Sequence, residues 1–330
     1  MIIIGVPFKD LVVKEPISID ELAGKKVAID AYNVLFQFLS AIRQRDGTPL
    51  KDEQGNVTSH LSGIFHRTLK LMQAGVQPCF VFDGDAPELK ADTQAARRAI
   101  RAAAKVKHEA ALAAGDIETA RKYGQQSITL NSEMIKESKE LIQAMGLPVI
   151  QALGDAEAQA AYMCQKGLVW AVVSQDYDTL LFGAQRVIRN LTISQKKRGT
   201  KIITPEIISL TDTLNKLKID HKGLINVAIL VGTDFNSGVK GIGPKTAVKI
   251  IQEGNIEKYK ADMPKFDAVQ GIFLKPAIST GYTLEWKPLD INKVKETLCQ
   301  RHGFKESRID SALGLNKSQT NKNQKSLADF

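Results

Sequence analysis

The stretch VWAVVSQDYD, Val169–Asp178, is a short apolar run that ends in two aspartates. Its β-branched and aromatic residues predict a buried strand at Val169–Val173. Similar runs occur in KVAID (Lys26–Asp30) and CFVFD (Cys79–Asp83), and a further strand is predicted at Pro148–Ile150. Amphipathic helical segments separate these strands. The alternation predicts an α/β fold, a mostly parallel twisted sheet flanked by helices.

Acidic residues follow each of these strands. In an open α/β sheet the carboxyl ends of the strands border the ligand crevice, so acids from separate strands are expected to converge there. Two carboxylates about 4 Å apart repel by about 4 kcal/mol at an effective dielectric constant near 20, and Mg²⁺ with oxygen ligands would relieve that repulsion. Strand-end aspartates also cap helices, and for any single residue that alternative stays open. The acids concerned are Asp30, Asp83, Asp155, Glu157, Asp176 and Asp178.

Composition favours an anionic partner. The 330 residues include 45 Lys and Arg against 36 Asp and Glu, a formal charge of +9, which is typical of a protein that binds nucleic acid. Neither a membrane span nor a signal peptide is predicted, so we expect an intracellular protein without a membrane partner. Cys79, Cys164 and Cys299 are too far apart for a paired-cysteine zinc site and are expected to be reduced packing residues.

A long helical region from about 88 to 146 follows Asp83, with breaks expected at Gly115 and near Gly124. It is too long for a simple crossover. Residues 97–107 contain five bases and no acid, and helical spacing places three bases of this region on one stripe, which could hold a scissile phosphate. A solvated helix face is the alternative. The bases considered are Lys90, Arg97, Arg98, Arg101, Lys105 and Lys107.

A second phosphate-binding element is predicted after Asp234. The turn Gly241-Ile242-Gly243 precedes Pro244 at the start of a helix, so backbone amides would face a DNA backbone without reading its sequence. Lys245 and Lys249 belong to that helix. Elsewhere, a hairpin is expected from Arg186 to Thr204 around Lys196–Gly199, helix after residue 205, and an unstructured tail from Asn316.

The whole set of motifs resembles the structure-specific 5′ nucleases, in particular the flap endonucleases of archaea and eukaryotes. The resemblance rests on the acidic motifs in order, on Gly5–Phe8 at the N-terminus, and on Gly241–Lys245, which looks like the helix-hairpin-helix of the family (228–255). It implies a single nuclease domain over 1–315 with a helical arch at 88–130. Asp234 would join the metal ligands, and Lys90 and Arg97 would contact the scissile phosphate. The motif at Gln324, Leu327 and Phe330 resembles a sliding-clamp peptide.

The resemblance also implies cofactors, partners and location. Two Mg²⁺ per active site, which Mn²⁺ can replace, would serve hydrolysis near the base of a 5′ flap, and K⁺ would bind the helix-hairpin-helix. The expected activities are flap endonuclease and 5′-3′ exonuclease in replication, including Okazaki fragment processing, and in repair. The expected partners are branched DNA and the sliding clamp (PCNA), with a monomeric enzyme that is cytoplasmic in archaea or nuclear in eukaryotes. Phe36 is a candidate for stacking on a base, with a core role as the alternative.

Four positions depart from the family pattern. Met1–Ile4 precede the usual N-terminus, and Asp155 replaces a more common Glu. Gln125–Ser127 replace more basic residues in the second half of the arch, and Phe330 is a single terminal aromatic where two are common. Two other functions stay open: an acidic-cleft nuclease acting on RNA, and a non-catalytic DNA-binding accessory of the clamp.

Overall fold

The computed structural model describes residues 6–85, 88–193 and 203–315. Within these ranges the chain forms seven strands, which are β1 (Lys14–Pro16), β2 (Lys26–Asp30), β3 (Gln77–Phe82), β4 (Val149–Gln151), β5 (Ala171–Val173), β6 (Arg186–Arg189) and β7 (Glu206–Ser209). They make one sheet in the order β1-β7-β6-β5-β2-β3-β4. The pairs from β6 to β4 are parallel, and β7 lies antiparallel to both β6 and β1. The predicted α/β fold with a mostly parallel sheet is confirmed.

Helices cover both faces of the sheet. In the described ranges they are α1 (Ala31–Ala41), α2 (Ser59–Gln73), α3 (Ala91–Ala113), α4 (Ile117–Gln126), α5 (Ser132–Ala144), α6 (Ala156–Gln165), α7 (Asp178–Leu181), α8 (Leu210–Leu217), α9 (His221–Val231), α10 (Pro244–Gln252), α11 (Phe266–Leu274), α12 (Ile291–Lys295) and α13 (Glu306–Leu313), with a π-helical turn at Glu296–Arg301. None of these described helices has the length and apolar character needed to cross a membrane.

Alternate residues of the central strands pack on opposite faces of the sheet. In β2, Val27 and Ile29 join a core with α1, α2, α5 and the C-terminal helices, whereas Ala28 joins a second core with α6, α9, α10 and α11. Because both faces are covered, the central strands are apolar at successive positions, as expected of a parallel sheet. Cys79 and Cys164 are buried and free, which agrees with their predicted packing role.

The predicted hairpin from Arg186 to Thr204 is only partly correct. Its first strand is β6, but the antiparallel partner is β7, which begins at Glu206, where helix was expected. Ile208 is fully buried opposite Val187, so pairing between strands and burial override the helical pattern there. The turn Lys196–Gly199 lies outside the described residues. β1 was not predicted, because three residues carry too little pattern.

The helical region after Asp83 contains α3, α4 and α5. The break at Gly115 is confirmed. The second break, expected near Gly124, comes two residues later, after Gln126, and Gly124 itself lies inside α4. Asp116 and Asn131 begin the next two helices by accepting hydrogen bonds from Thr119 N and Met134 N. The helices α3 and α4 pack against each other and form the part of the chain expected to be the arch.

An extended segment, 275–290, crosses the molecule after α11 and was not predicted. Gln159 of α6 is fully buried and holds this segment by donating to Ser279 O at 3.0 Å and accepting from Ser279 N at 2.8 Å. Trp286 donates to Pro78 O at 2.8 Å. We call 275–290 the strap. It carries the chain from one core to the other, where α12 and α13 complete the packing.

Candidate active site

The seven predicted acids lie around the carboxyl end of the parallel strands. Asp30 is the last residue of β2, Asp83 follows β3, and Asp176 and Asp178 follow β5. Three more come from the start of α6 and from the turn after α9: Asp155, Glu157 and Asp234. The cleft therefore collects its acids from five separated parts of the chain. The strand-end pattern predicted all of them except Asp234, which the family resemblance added.

Burial and mutual repulsion disfavour the ionised acids. Burial, followed by repulsion from Asp83 and Asp176, raises the pKa of Asp30 to about 8. Burial also raises the pKa of Glu157 and of Asp178 well above the ordinary range, and the neighbouring acids add to both shifts. The pKa values of Asp83 and Asp176 are raised for the same two reasons. These carboxyl groups are thus close enough to repel one another when ionised, and cations in the cleft would stabilise their charged forms.

Backbone amides fix the orientation of two acids. Asp30 caps α1 by accepting from Asn33 N at 3.1 Å, and Asp83 accepts from Ala156 N, the first residue of α6, at 2.7 Å. The capping alternative is therefore realised at Asp30. Capping uses one carboxylate oxygen of each residue and leaves the other as an acceptor for a ligand.

Asp178 receives its orienting bond from the N-terminal segment. Val6 N donates to Asp178 Oδ1 at 3.1 Å, and Val6 is 2% exposed. The contact joins residues 172 positions apart. The resemblance of Gly5–Phe8 to the family N-terminus was the available signal, but it did not specify this bond. Residues 1–5 lie outside the described part of the chain.

Two bases from the start of the helical region reach the acids. Lys90 Nζ lies 2.7 Å from Asp155 Oδ1, and Arg97 Nη2 lies 2.5 Å from Asp234 Oδ1. Burial lowers the pKa of Lys90, but the surrounding carboxylates, Asp155 foremost, outweigh burial and raise it. Lys90 and Arg97 thus lie in the cleft, with acids as their immediate partners.

The donor set suits a hard divalent cation. It consists of carboxylate oxygens, the ligand type that Mg²⁺ prefers, and the raised pKa values indicate that a cation would stabilise the ionised acids. Among the described residues, however, no three Asp, Glu, His or Cys side chains are arranged as a ready ligand group. Asp155 and Asp234 instead face Lys90 and Arg97, so holding a metal requires these side chains to move.

The remaining predicted bases divide between two surroundings. Arg101 lies over the ring of Phe36, with the guanidinium carbon 4.9 Å from the ring centroid, and both side chains are half-buried. Arg98 and Lys105 are exposed on α3. Lys90, Arg97 and Arg101 were predicted to form one stripe on a helix. Lys90 instead lies in a short 3₁₀ turn before α3, and Lys90 and Arg97 contact acids whereas Arg101 contacts Phe36. Phe36 is partly accessible but covered on one side by Arg101.

The segment predicted as a helix-hairpin-helix is formed by α9, the loop 232–243 and α10. Gly241 has a φ of +86°, a conformation that glycine adopts easily, and Gly243 caps α10 ahead of Pro244. Lys245 and Lys249 are exposed on α10. The geometry agrees with the turn predicted from Gly241–Lys245.

Thr93 and Phe235 belong to the site but were not predicted. Thr93 Oγ1 donates to Asp234 O at 2.8 Å, and the ring of Phe235 lies 4.9 Å from Lys90 Nζ. Both tie the base of α3 to the turn that carries Asp234. The position of Phe235 next to Asp234 was the only signal in the sequence.

Comparisons with known proteins show the family of the chain. The chain matches the model of the XPG N-terminal domain over residues 8–104 and that of the XPG I-region over residues 146–234. Flap endonuclease 1 of Pyrococcus horikoshii is 48% identical over 319 residues, which cover 94% of this chain and 93% of that protein. The chain belongs to the flap endonuclease family. Membership makes it a metal-dependent nuclease.

Solved structures of this family and of a related nuclease agree with the fold. Flap endonuclease-1 from Methanococcus jannaschii is 40% identical and superposes with a TM-score of 0.77, covering 94% of this chain and 97% of that one. The catalytic core of Rad2, solved in complex with a DNA substrate, is 25% identical with a TM-score of 0.69 over 94% of this chain and 98% of that one. The seven-stranded architecture of this flap endonuclease is therefore that of its relatives.

The departures from the family pattern have different outcomes. Asp155, which replaces Glu, pairs with Lys90 in this flap endonuclease. Gln126 is exposed at the end of α4, and Ser127 Oγ donates to Gly124 O at 3.1 Å. Met1–Ile4 and the predicted clamp residues Gln324, Leu327 and Phe330 lie outside the described residues.

Proposed function

We propose that the acidic cleft cuts a DNA phosphodiester near the base of a 5′ flap and leaves a 5′-phosphate. One observation carries the proposal, the convergence of buried acids of raised pKa with two bases from the arch. The names of the relatives support a flap substrate, and the Rad2 complex supports a DNA partner. The same hydrolysis at a free 5′ end would give the 5′-3′ exonuclease activity. A role in replication and repair is consistent with the family.

The acids would hold two Mg²⁺ ions. We assign Asp30, Asp83, Asp155 and Glu157 mainly to one ion and Asp176, Asp178 and Asp234 to the other. When bound, such ions lower the pKa of water and stabilise the attacking and leaving oxygens of a phosphodiester. Asn33 N, Ala156 N and Val6 N keep three of the carboxylates turned toward the cleft.

Lys90 and Arg97 would stabilise the charge that develops on the scissile phosphate. Both are held at the cleft, Lys90 by the Phe235 ring and Asp155, and Arg97 by Asp234. A phosphate that enters between base and acid offers each cation a second acceptor. Donors held in place before the reaction stabilise the transition state without the cost of reorganisation.

The rest of the basic surface would hold the duplex and the flap. Gly241, Gly243, Lys245 and Lys249 would contact a duplex backbone, with K⁺ in the turn between α9 and α10, and the arch would receive the 5′ strand over Arg98, Arg101 and Lys105. Phe36 would stack on a base only after Arg101 moves from its ring. The protein would act as a monomer and would bind the sliding clamp (PCNA) through residues 324–330.

A labelled 5′-flap duplex tests this function, with a single strand and an RNA hairpin as competitors. With Mg²⁺ we expect cleavage of the flap near its base and little cleavage of the other two. Asp178→Asn should keep flap binding and lower the cleavage rate by about 10²-fold or more, because it removes a predicted metal ligand. Asp212→Asn, on the exposed surface of α8, is the matched control and should leave the rate unchanged. Preferential cleavage of the RNA hairpin, or an Asp178→Asn variant that loses binding but keeps its rate, would refute the proposal.

A further inference from the structure

Four titratable side chains form a buried cluster away from the acidic cleft. They are Asp52 in the loop 43–58, His60 on α2, Glu137 on α5 and His302 after the π-helical turn. His302 Nδ1 lies 2.9 Å from Asp52 Oδ2, and His302 Nε2 lies 2.9 Å from Glu137 Oε1. The side chains of His302 and Asp52 are 4% and 0% exposed. Nothing in the metal-ion chemistry of the cleft requires this cluster.

Each ring nitrogen of His302 faces a carboxylate oxygen, a geometry that favours an N–H donor at both positions. A neutral imidazole has one N–H and would turn a bare nitrogen lone pair toward one of the two carboxylates, whereas an imidazolium donates to both. Burial raises the pKa of Asp52, but hydrogen bonds from His302 and Asn56 outweigh burial and bring it to about 2. The pKa of Glu137 is lowered by its contacts with His60 and His302 despite burial. Both carboxylates are therefore ionised partners for a charged His302.

Two further titratable side chains lie near His302, and of these only Arg301 is in an ion pair at hydrogen-bond distance. His60 Nε2 lies 3.6 Å from Glu137 Oε2, on the oxygen that does not face His302. The neighbouring Arg301 pairs with Glu140 of α5 at 2.8 Å. The charge on His302 is thus balanced by Asp52 from the loop and Glu137 from α5, and its loss would leave these two carboxylates facing each other across a neutral ring.

The loop that carries Asp52 also supports the arch. At its start, Arg43 Nη1 donates to Gly47 O at 2.6 Å. A Cβ at Gly47 would lie 2.5 Å from the Cα of Arg121 on α4, and a Cβ at Gly124 would lie 3.0 Å from Gly47 O. The loop backbone is thus in direct contact with α4. A continuous path of contacts runs from His302 through Asp52 and the loop to the arch.

We infer that the His302 imidazolium is a positioning residue, which fastens the loop 43–58 to α5 and thereby holds α4 of the arch in place for the 5′ flap. The effect on flap binding rests on the proposed function, whereas the attachment of the loop 43–58 to α5 does not. When His302 loses its proton, the loop is released and α4 loses its support. Flap binding weakens, while the cleavage step at the acids is unchanged.

Hydrogen exchange without DNA tests the link itself, so its result is independent of whether the flap is the substrate. Raising the pH from about 6 to about 9 should speed exchange of 43–58 and 117–126 in the wild type beyond the intrinsic pH effect. His302→Gln, which can donate to only one carboxylate, should show the faster exchange already at low pH. His66→Gln, at an exposed histidine of α2 outside the cluster, is the control and should behave as wild type.

Binding and cleavage measurements separate positioning from catalysis. His302→Gln should weaken the Kd for a 5′-flap duplex about fivefold or more near pH 6 and remove its pH dependence, while the single-turnover rate at saturating enzyme stays within about twofold. Asp52→Asn keeps His302 in place and should also weaken flap binding. The double variant should bind the flap no more weakly than His302→Gln alone. Wild-type exchange in 43–58 and 117–126 that is indifferent to both pH and His302→Gln would overturn the inference. A cleavage rate that falls at saturation with an unchanged Kd would overturn it as well.

Discussion

Lys90 and Arg97 are the residues at which the bases of the helical region contact the acids of the cleft. Each lies against one acid of the cleft, at 2.7 Å and 2.5 Å, and each is in reach of a phosphate that enters there. Sequence reasoning predicted both as phosphate contacts but not their acidic partners. Those partners lie 65 and 137 positions away, at distances along the chain that spacing patterns cannot reach.

Replacing Lys90 tests its proposed electrostatic role. Lys90→Gln should lower the single-turnover rate of flap cleavage by about 10²–10³-fold, the usual effect of removing one transition-state donor. Flap affinity should change by less than tenfold, because many other bases contact the backbone. Quenched-flow cleavage at saturating enzyme measures the rate, and Lys105→Gln on the exposed part of α3 is the control. An unchanged rate for Lys90→Gln would show that the lysine only balances Asp155.

Single-residue signals predicted the acids better than the contacts that orient them. Asp30, Asp83 and Asp176 were predicted because each follows a strand, which is a local pattern. The bond from Val6 N to Asp178 and the cluster around His302 were not, because they join residues 172 and 250 positions apart. Such contacts depend on how elements pack and leave no periodic trace in the sequence.

At the scale of elements, α6 connects the cleft to the strap. Asp155 stands at its N-cap position and Glu157 in its first turn. Two residues after Glu157, Gln159 binds the strap through the nitrogen and the oxygen of its side-chain amide. The orientation of α6, and with it two acids of the cleft, therefore depends partly on the strap 275–290. Strong helical or strand periodicity is absent from the strap, so its path could not be predicted.

Gln159→Glu tests this connection. The substitution removes the N–H donor to Ser279 O in a fully buried position and should cost about 1–3 kcal/mol in the free energy of unfolding. Denaturant unfolding measures it, with Gln143→Glu on the exposed face of α5 as the control. A cost indistinguishable from that of Gln143→Glu would mean that the strap does not hold α6.

Elements with strong local patterns were predicted and those defined by pairing were not. Four of the five parallel strands, and the break at Gly115, follow from apolar runs and helix-ending glycine. β7 belongs to the second group, since its four residues form a strand only because β6 and β1 lie on either side. Its identity is thus decided by the sheet and not by its own residues.

At the scale of the whole molecule, the charge of +9 is the sum of two opposed regions. Seven acids gather at one end of the sheet, whereas exposed bases occupy α3 and α10. Without cations the acids would repel DNA, and the bases would hold it beside a cleft that cannot act on it. Binding of divalent cations would convert the cleft into a surface that DNA can approach.

Calorimetric titration of Mg²⁺ into the protein tests the central claim, that the buried acids form the metal site. The pKa of about 8 at Asp30 means that the metal-free cleft holds protons at neutral pH, so binding must release them and must tighten as the pH rises toward 8. Titrations near pH 7 in buffers of different ionisation enthalpy count the protons released. We predict net proton release, tighter binding at higher pH, and at least tenfold weaker binding by Asp176→Asn but not by Asp212→Asn. Binding that releases no protons, ignores pH and survives Asp176→Asn would contradict the account.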